Sequence, residues 1–70
     1  MERTPVSSSS LKSVGYDPRS QTLEIEFETG RTYQYFNVPE SIYQALMSAG
    51  SHGQYFNQNI KGSYPSERIN

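Results

Sequence analysis

The amino-acid sequence predicts an α+β fold: a three-stranded antiparallel meander with one face covered by two short C-terminal helices. Two observations support this prediction. Apolar residues recur at every second position in three successive segments, the period of a strand, and at every third or fourth position in two later segments, the period of a helix. A meander with one apolar face needs a covering layer, and the two helices supply it.

The segment 1–10 precedes these elements and reads MERTPVSSSS. A polar run with four consecutive serines cannot bury enough apolar area to offset the entropy of ordering the chain. We therefore expect a disordered N-terminal tail over residues 1–10 and a single domain over residues 11–70. A chain of 70 residues has room for one domain.

A tight turn joins the first two predicted strands. Val14 and Tyr16 lie two positions apart in the first strand, and Gly15 between them marks a bulge or a close approach of another backbone. Asp17 and Pro18 then suit the first two positions of a type I turn.

The second strand, TLEIEF, has the clearest alternation in the chain. Over residues 23–28 one face carries apolar side chains and the other carries glutamates. Successive glutamates on such a face lie about 7 Å apart, which would suit only a weakly held hard cation. We favour a solvated strand face that keeps the sheet soluble.

The turn before the third strand decides where two tyrosines point. A two-residue loop of Thr29 and Gly30 would place Tyr33 and Tyr35 on the glutamate face, but it needs positive φ at both loop residues, which Thr29 disfavours. A three-residue loop that begins at Glu28 and uses Gly30 as its left-handed residue avoids this strain. Both tyrosines then join the apolar face, because side-chain direction alternates along a strand. The predicted pairs are Phe27 with Arg31, Ile25 with Tyr33, and Leu23 with Tyr35.

Two helices are predicted in the C-terminal half. Pro39 suits the first position of the first helix, and Gly50 ends it. Ser51 and Gln54 form a capping-box pattern that starts the second helix, which Gly62 closes. The residues expected to face the sheet are Ile42, Leu46, Ala49, Phe56 and Ile60.

Several motifs, taken together, resemble one family. They are VGYD, LEIEFETG, the Tyr-x-Tyr of Tyr33 and Tyr35, Val38-Pro39, and Ser51-x-Gly53-x-x-Phe56-Asn57. Over residues 11–69 the chain is similar to the KTSC family, the small domain named from the C-terminus of some lysyl-tRNA synthetases, which also occurs alone in short bacterial and phage proteins. The resemblance implies the fold described above and a family of unknown function, for which RNA binding has been suggested because of the synthetase association. It implies no catalytic residues.

The residue types present give little support for catalysis or metal binding. The chain has no cysteine and one histidine, which excludes a disulfide, a thiolate metal site and a multi-histidine site within one chain. Ser51 and His52 are neighbours and cannot easily point at one another as nucleophile and base. We therefore expect no enzymatic activity, no cofactor and no bound metal.

Charge and hydropathy bear on location and partners. The net charge of −1 gives no field that attracts nucleic acid or a membrane surface. The sequence has no apolar run long enough to span a membrane and no N-terminal stretch resembling a signal peptide. A cytoplasmic protein without membrane contact is expected.

A binding module is the expected class of function. Tyrosine-rich, charge-poor surfaces are typical of protein interfaces, so we favour a protein-interaction or assembly domain, with weak homo-oligomer formation as one form of it. The alternative is a weak RNA-binding accessory domain, associated with tRNA or a lysyl-tRNA synthetase, whose exposed aromatics stack on bases. The scarcity of positive charge weighs against RNA.

Elimination places the expected binding surface on the C-terminal third of the chain. The strand tyrosines are assigned to the core, the outer sheet face carries glutamates, and the N-terminal segment has no aromatic residue. Tyr55 is turned about 100° from Phe56 on the second helix. Whether its ring and that of Tyr64 only cover the edge of the core is left open. The candidate binding residues are Tyr55, Lys61, Tyr64 and Arg68.

Overall fold

The secondary structure follows the predicted order and adds two short strands. The computed structural model describes all 70 residues. The elements are β1 (Arg3–Pro5), β2 (Leu11–Asp17), β3 (Thr22–Phe27), β4 (Thr32–Tyr35), α1 (Glu40–Ser48), α2 (His52–Asn59) and β5 (Ser66–Arg68). The strands form one antiparallel sheet in the order β1-β2-β3-β4-β5.

The α+β class with an antiparallel sheet and two helices is confirmed, but the predicted number of strands is wrong. The sheet has five strands rather than three. The additional strands β1 and β5 have three residues each, with the sequences RTP and SER. No apolar alternation marks such strands, so periodicity does not reveal them. They form because the edges of β2 and β4 carry backbone groups that need partners.

Strand β1 lies inside the segment predicted to be a disordered tail. Arg3 pairs with Gly15 of β2, so the structure places a strand over residues 3–5 where the sequence predicts disorder. Gly15 permits this approach, since a Cβ atom there would lie 2.8 Å from the carbonyl oxygen of Glu2. The alternative of a close backbone approach at Gly15 is therefore the one the structure adopts.

The hairpin between β3 and β4 has the predicted three-residue loop. The Phe27 amide donates to the carbonyl oxygen of Arg31 at 2.9 Å, and Gly30 has φ of +93°. Both strand tyrosines therefore face the helices: Tyr35 is 6% exposed, and Tyr33 packs partly buried against the core. The predicted pairs Leu23 with Tyr35 and Ile25 with Tyr33 are present.

The core lies between the apolar face of the sheet and the two helices. Leu46 is the buried residue of α1, and Phe56 is the buried residue of α2. Ile42, Tyr43 and Met47 pack partly buried around this centre. The core residues are Leu11, Val14, Leu23, Ile25, Tyr35, Val38, Leu46, Phe56 and Ile60.

Both helices begin close to the predicted residues. The Oγ of Ser51 accepts from the amide of Gln54 at 3.2 Å, so the cap predicted for α2 is confirmed. Helix α1 begins at Glu40, and Pro39 is its N-cap rather than its first helical residue, since its ψ of 152° is extended. Gly62, with φ of +79°, follows α2 and redirects the chain toward β5.

The glutamate face of the sheet is less solvated than expected. Glu24 is 7% exposed and accepts hydrogen bonds from Nη1 of Arg3 at 3.0 Å and Nε2 of Gln34 at 2.9 Å. Glu26 accepts from Oγ of Ser13 at 2.9 Å and lies 3.6 Å from Nη2 of Arg3. The interpretation of a solvated face is wrong for Glu24, because Arg3 arrives on β1, a strand absent from the predicted fold.

Candidate functional site, an aromatic groove beside the second helix

A groove opens on the helix-covered side of the sheet, between the β3–β4 hairpin, α2 and β5. Its volume is about 450 Å³, a size common for binding sites. We call it the aromatic groove. Its aromatic lining consists of Phe27, Tyr33, Tyr35 and Phe56. Its polar lining includes Ser10, Asn57, Lys61 and Ser66.

A second depression of about 350 Å³ adjoins the aromatic groove at the hairpin loop. We call it the hairpin depression. The two concavities share Ser10, Phe27 and Tyr33, so they lie side by side. The charged residues that line the hairpin depression are Glu28 and Arg31. Together the two concavities offer room for a ligand longer than one side chain.

The four rings of the aromatic groove pack in a closed cycle. Phe27 packs edge-to-face against Tyr33 and Phe56, with centroid distances of 5.9 and 5.4 Å. The ring of Tyr35 lies 5.4 Å from Phe56 at 75° and 6.3 Å from Tyr33 at 29°. Each ring thus contacts two others, which fixes its orientation and covers part of its faces.

Burial differs among these rings and affects the chemistry of one hydroxyl. Tyr35 and Phe56 are 6% and 4% exposed, whereas Phe27 and Tyr33 are partly buried. Burial raises the pKa of Tyr35 to about 12, and the neighbouring Tyr33 contributes further. Tyr35 is therefore neutral at physiological pH, so the aromatic part of the groove lining carries no negative charge.

Positive charge lies around this lining. Lys61 lines the aromatic groove, Arg31 lines the hairpin depression, and Arg68 lies on β5 opposite Tyr33. No side-chain carboxylate is within ion-pair distance of these cations, since all ion pairs of the structure involve the glutamates of β3. The Nε atom of Arg68 donates a hydrogen bond to the carbonyl oxygen of Asn70 at 3.1 Å, which leaves its Nη atoms for other partners. The side of the sheet that carries the groove therefore has two cations whose side chains have no hydrogen-bond or ion-pair partner, Lys61 and Arg31, and a third, Arg68, that is partly engaged by Asn70.

The structure brings one of the four predicted binding residues, Lys61, directly to the aromatic groove. Arg68 is exposed and adjoins the groove through its strand partner Tyr33. Tyr55 and Tyr64 pack partly buried against the core and line neither concavity. The predicted four-residue surface is thus divided between the groove side and the edge of the core.

Of the nine residues that line the groove, all except Lys61 lie outside the surface that the sequence predicts. The alternation of the third strand assigns Tyr33 and Tyr35 to the core, yet in the structure they both support the core and line the groove. Asn57 follows the inward-facing Phe56 and belongs to the quoted motif, which is a sequence signal that could have identified it. No sequence signal marks Ser66, because β5 has no periodicity.

The residues that line the groove can make apolar contacts through their rings and hydrogen bonds through their polar side chains. His52 lies away from the groove, with its Nδ1 atom 2.8 Å from the carbonyl oxygen of Leu46, and so links the start of α2 to α1. No group of three or more His, Cys, Asp or Glu side chains is placed to hold a metal ion. Neither α1 nor α2 is long and apolar enough to cross a membrane.

Comparisons with known proteins identify the family. The sequence profile of the KTSC domain matches residues 7–64. A relative from Stutzerimonas stutzeri, named only as an uncharacterized protein, is 51% identical over 61 residues, which cover 87% of this chain and 86% of the relative. A lysine–tRNA ligase from Nostoc punctiforme is 44% identical over 59 residues, which cover 84% of this chain but 10% of the ligase.

A comparison with solved structures also identifies the KTSC family. The crystal structure of a KTSC domain protein from Yersinia pestis matches with a TM-score of 0.94 and 50% identity, over 99% of this chain and 97% of that chain. The chain is thus a small α+β domain with an antiparallel sheet and two helices. It belongs to the KTSC domain family, as the resemblance of its motifs predicts.

Several of the motif residues on which that resemblance rests converge on the aromatic groove. Tyr33 and Tyr35 come from the Tyr-x-Tyr motif, and Phe56 and Asn57 end the second-helix motif. All four line the groove, although they come from two separate elements. Val38, another motif residue, is fully buried in the core. The motifs therefore divide between those that build the fold and those that also shape the groove.

Proposed function

We propose that this KTSC domain is a non-enzymatic protein-interaction module whose aromatic groove receives a side chain of a partner protein. The observation that carries the proposal is the convergence of Tyr33, Tyr35, Phe56 and Asn57 on one open groove. Concave, mostly apolar sites with a few polar groups are the usual form of binding sites, and buried aromatic residues dominate the energetics of interfaces.

The packing of the rings favours an inserted side chain over a stacked nucleobase. Stacking on a base needs an aromatic ring whose face is open to solvent. Each ring of the groove already packs against two others, and Tyr35 and Phe56 are 6% and 4% exposed. An aliphatic or phenyl side chain can fill the remaining space through dispersion contacts with the ring edges.

The test blocks the groove without removing a core atom. Ser66 is exposed and lines the groove, so Ser66→Trp should occupy it from the edge strand. Ser63 is also exposed but lines neither concavity, which makes Ser63→Trp the matched control. Both variants should unfold in urea near the wild-type midpoint, because neither position is buried.

The readout is retention of partner proteins from RNase-treated extract of the cells that encode the protein. We expect the wild type and Ser63→Trp to retain the same proteins, and folded Ser66→Trp to lose them. Each captured protein is then purified and its direct binding measured by calorimetry. Equal direct binding by Ser66→Trp and the wild type would refute the groove as the site.

The same proposal covers location, cofactors and self-association. It assigns the module to the cytoplasm, without a cofactor or a metal. A second copy of the chain is one partner to test, by sedimentation equilibrium of the wild type and Ser66→Trp. Concentration-dependent dimerisation that Ser66→Trp abolishes would identify the partner as another copy.

A second candidate function, weak association with tRNA, is favoured by one specific observation. The domain matches a stretch equal to a tenth of a lysine–tRNA ligase, and a tethered domain gains from effective concentration even when its own affinity is low. The cations Arg31, Lys61 and Arg68 would face the phosphates. Binding of labelled tRNA, titrated with salt, tests this candidate: a phosphate-based contact falls steeply as salt rises, whereas an apolar protein contact does not.

A further inference from the structure

Three cations adjoin the concavities on the helical side of the sheet. Lys61 lines the aromatic groove, Arg31 lines the hairpin depression, and Arg68 lies opposite Tyr33 on β5. The carboxylates that form ion pairs are on the other face of the sheet, with cations of β1 and β2. Glu28 is the one carboxylate that lines either concavity. Charge complementarity therefore calls for an acidic ligand here.

Strand β5 is an edge strand whose outer side is unpaired. It is the last strand of the sheet and pairs only with β4. Such an edge presents backbone N–H and C=O groups to which an extended segment of another protein can add as a further strand. The opposite edge strand, β1, contains Pro5, which has no N–H group to donate. Strand β5 is therefore the better edge for strand addition.

Ser66 connects this edge with the aromatic groove. It lies opposite Tyr35 in the β4–β5 ladder and lines the groove. Opposed residues of neighbouring strands project to the same face, about 5 Å apart, so a side chain beside Ser66 on an added strand would project toward the groove. Arg68, two positions along, faces the same side as Ser66, whereas Glu67 between them faces the opposite side.

We infer that the groove and the β5 edge together bind an extended protein segment with the pattern apolar–x–acidic. The inference rests on the proposed function and names the chemistry of its partner. The apolar side chain lies beside Ser66 and enters the groove over Tyr35. The carboxylate two positions away pairs with the Nη atoms of Arg68, whose Nε donates to the carbonyl oxygen of Asn70. The position between them lies beside Glu67, which disfavours a second carboxylate there.

A nucleic acid matches these features less well. It has no backbone N–H and C=O groups in strand geometry for the β5 edge. The net charge of −1 and three scattered cations give no continuous basic path for a chain of phosphates. A peptide needs only one carboxylate at Arg68 and gains the rest of its affinity from the groove and the strand edge.

Selection of random peptides displayed on phage, with the intact purified protein as bait, tests the inference. We expect the selected peptides to share the apolar–x–acidic pattern. Binding of the synthetic peptides, measured by fluorescence anisotropy, should weaken about tenfold in Arg68→Glu and vanish in Ser66→Trp. Arg68→Gln is the milder variant, in which the acidic preference should disappear while the apolar preference stays.

Glu67→Lys is the matched charge change on the opposite face of the same strand. It should keep the acidic preference beside Arg68 and newly accept a carboxylate at the central position. Selected peptides that need the open groove, yet show no acidic preference or keep one unchanged in Arg68→Glu, would overturn the inference and leave the proposed function standing. If every selected peptide binds Ser66→Trp as well as the wild type, or if the groove captures a single-stranded RNA library instead, both the inference and the proposed function would be overturned.

Discussion

The backbone amide of Phe27 donates a hydrogen bond of 2.9 Å to the carbonyl oxygen of Arg31. This bond closes the three-residue loop of the hairpin and fixes its register. Because side-chain direction alternates along a strand, a register shifted by one residue would move Tyr33 and Tyr35 to the glutamate face. The core and the aromatic groove would then lose their central rings together, so one turn sets both the fold and the candidate site.

Gly30→Ala tests this turn. Gly30 has φ of +93°, which a residue with a Cβ atom adopts at a cost, so we expect a loss of about 1–2 kcal/mol in the free energy of unfolding. Gly50→Ala is the matched control, because Gly50 lacks a positive φ and has open space around it. Urea denaturation of both variants measures the difference. Equal stabilities for the two would show that the turn tolerates a side chain.

The central part of the fold could be predicted because its signals are local. Strands β2 to β4 alternate visibly, and the loop chemistry of Thr29 and Gly30 selects one register. Strands β1 and β5 were not predictable in this way, since three polar residues carry no period. Their strand conformation depends on the edge groups of β2 and β4, which exist only once the meander has formed.

The candidate site was predictable in smaller part. Elimination predicts Lys61 as a surface residue of the C-terminal third, and Lys61 lines the groove. Sequence patterning places Tyr33 and Tyr35 in the core and does not reveal that, in a domain of this size, one ring can also line a groove. Ser66 lies on β5, and because the sequence does not predict that strand, it cannot predict that Ser66 lines the groove.

Arg3→Ala should destabilise the protein through Glu24. The Arg3 guanidinium lies 3.0 Å from the Glu24 carboxylate, whose side chain is 9% exposed. Removing it leaves a nearly buried charge with Gln34 as its remaining side-chain donor, and we expect a loss of about 1–2 kcal/mol. This is less than for a fully buried pair, because the Arg3 side chain is 30% exposed.

Lys12→Ala is the control for Arg3→Ala. The Lys12 side chain is 61% exposed and its ammonium lies 4.0 Å from the Glu26 carboxylate, so its removal should change stability by less than about 0.5 kcal/mol. A double-mutant cycle of Arg3→Ala with Glu24→Gln isolates the pair. A coupling energy near zero would show that β1 is held by its backbone pairing alone.

Alkaline pH should destabilise the protein through Tyr35. Burial raises the pKa of Tyr35 in the folded protein to about 12, above the usual 10.0 of the unfolded chain. The contribution is fully present below pH 10.0 and is lost as the pH rises toward about 12, because the unfolded state ionises first. A shift of this size corresponds to a loss of roughly 2–3 kcal/mol.

Tyr35→Phe keeps the ring contacts and removes the ionising group. Urea unfolding at a series of pH values should therefore show a smaller alkaline loss of stability for the variant than for the wild type. Some loss should remain, because burial and the nearby Glu40 and Asp17 also raise the pKa of Tyr16. Identical alkaline profiles for the variant and the wild type would show that Tyr35 ionises equally readily in both states.

Two double variants separate the cations of the predicted C-terminal surface from its tyrosines. Lys61 and Arg68 are exposed and adjoin the groove, so Lys61→Glu with Arg68→Glu should preserve the fold and weaken partner binding about tenfold or more. Tyr55 and Tyr64 pack against the core without lining the groove. Replacing both with serine should therefore cost stability, through lost apolar burial, and leave the affinity of the folded fraction nearly unchanged.

Circular dichroism and calorimetry with a partner confirmed in the Ser66→Trp test would measure both effects. The two outcomes differ because the cations can contact a ligand directly, whereas the two tyrosine rings affect binding only through the stability of the core against which they pack. A folded tyrosine variant that has lost binding while the charge variant keeps it would move the site from the groove to the outer side of α2. Loss of binding in both folded variants would instead show that the ligand spans the groove and the C-terminal surface predicted from the sequence.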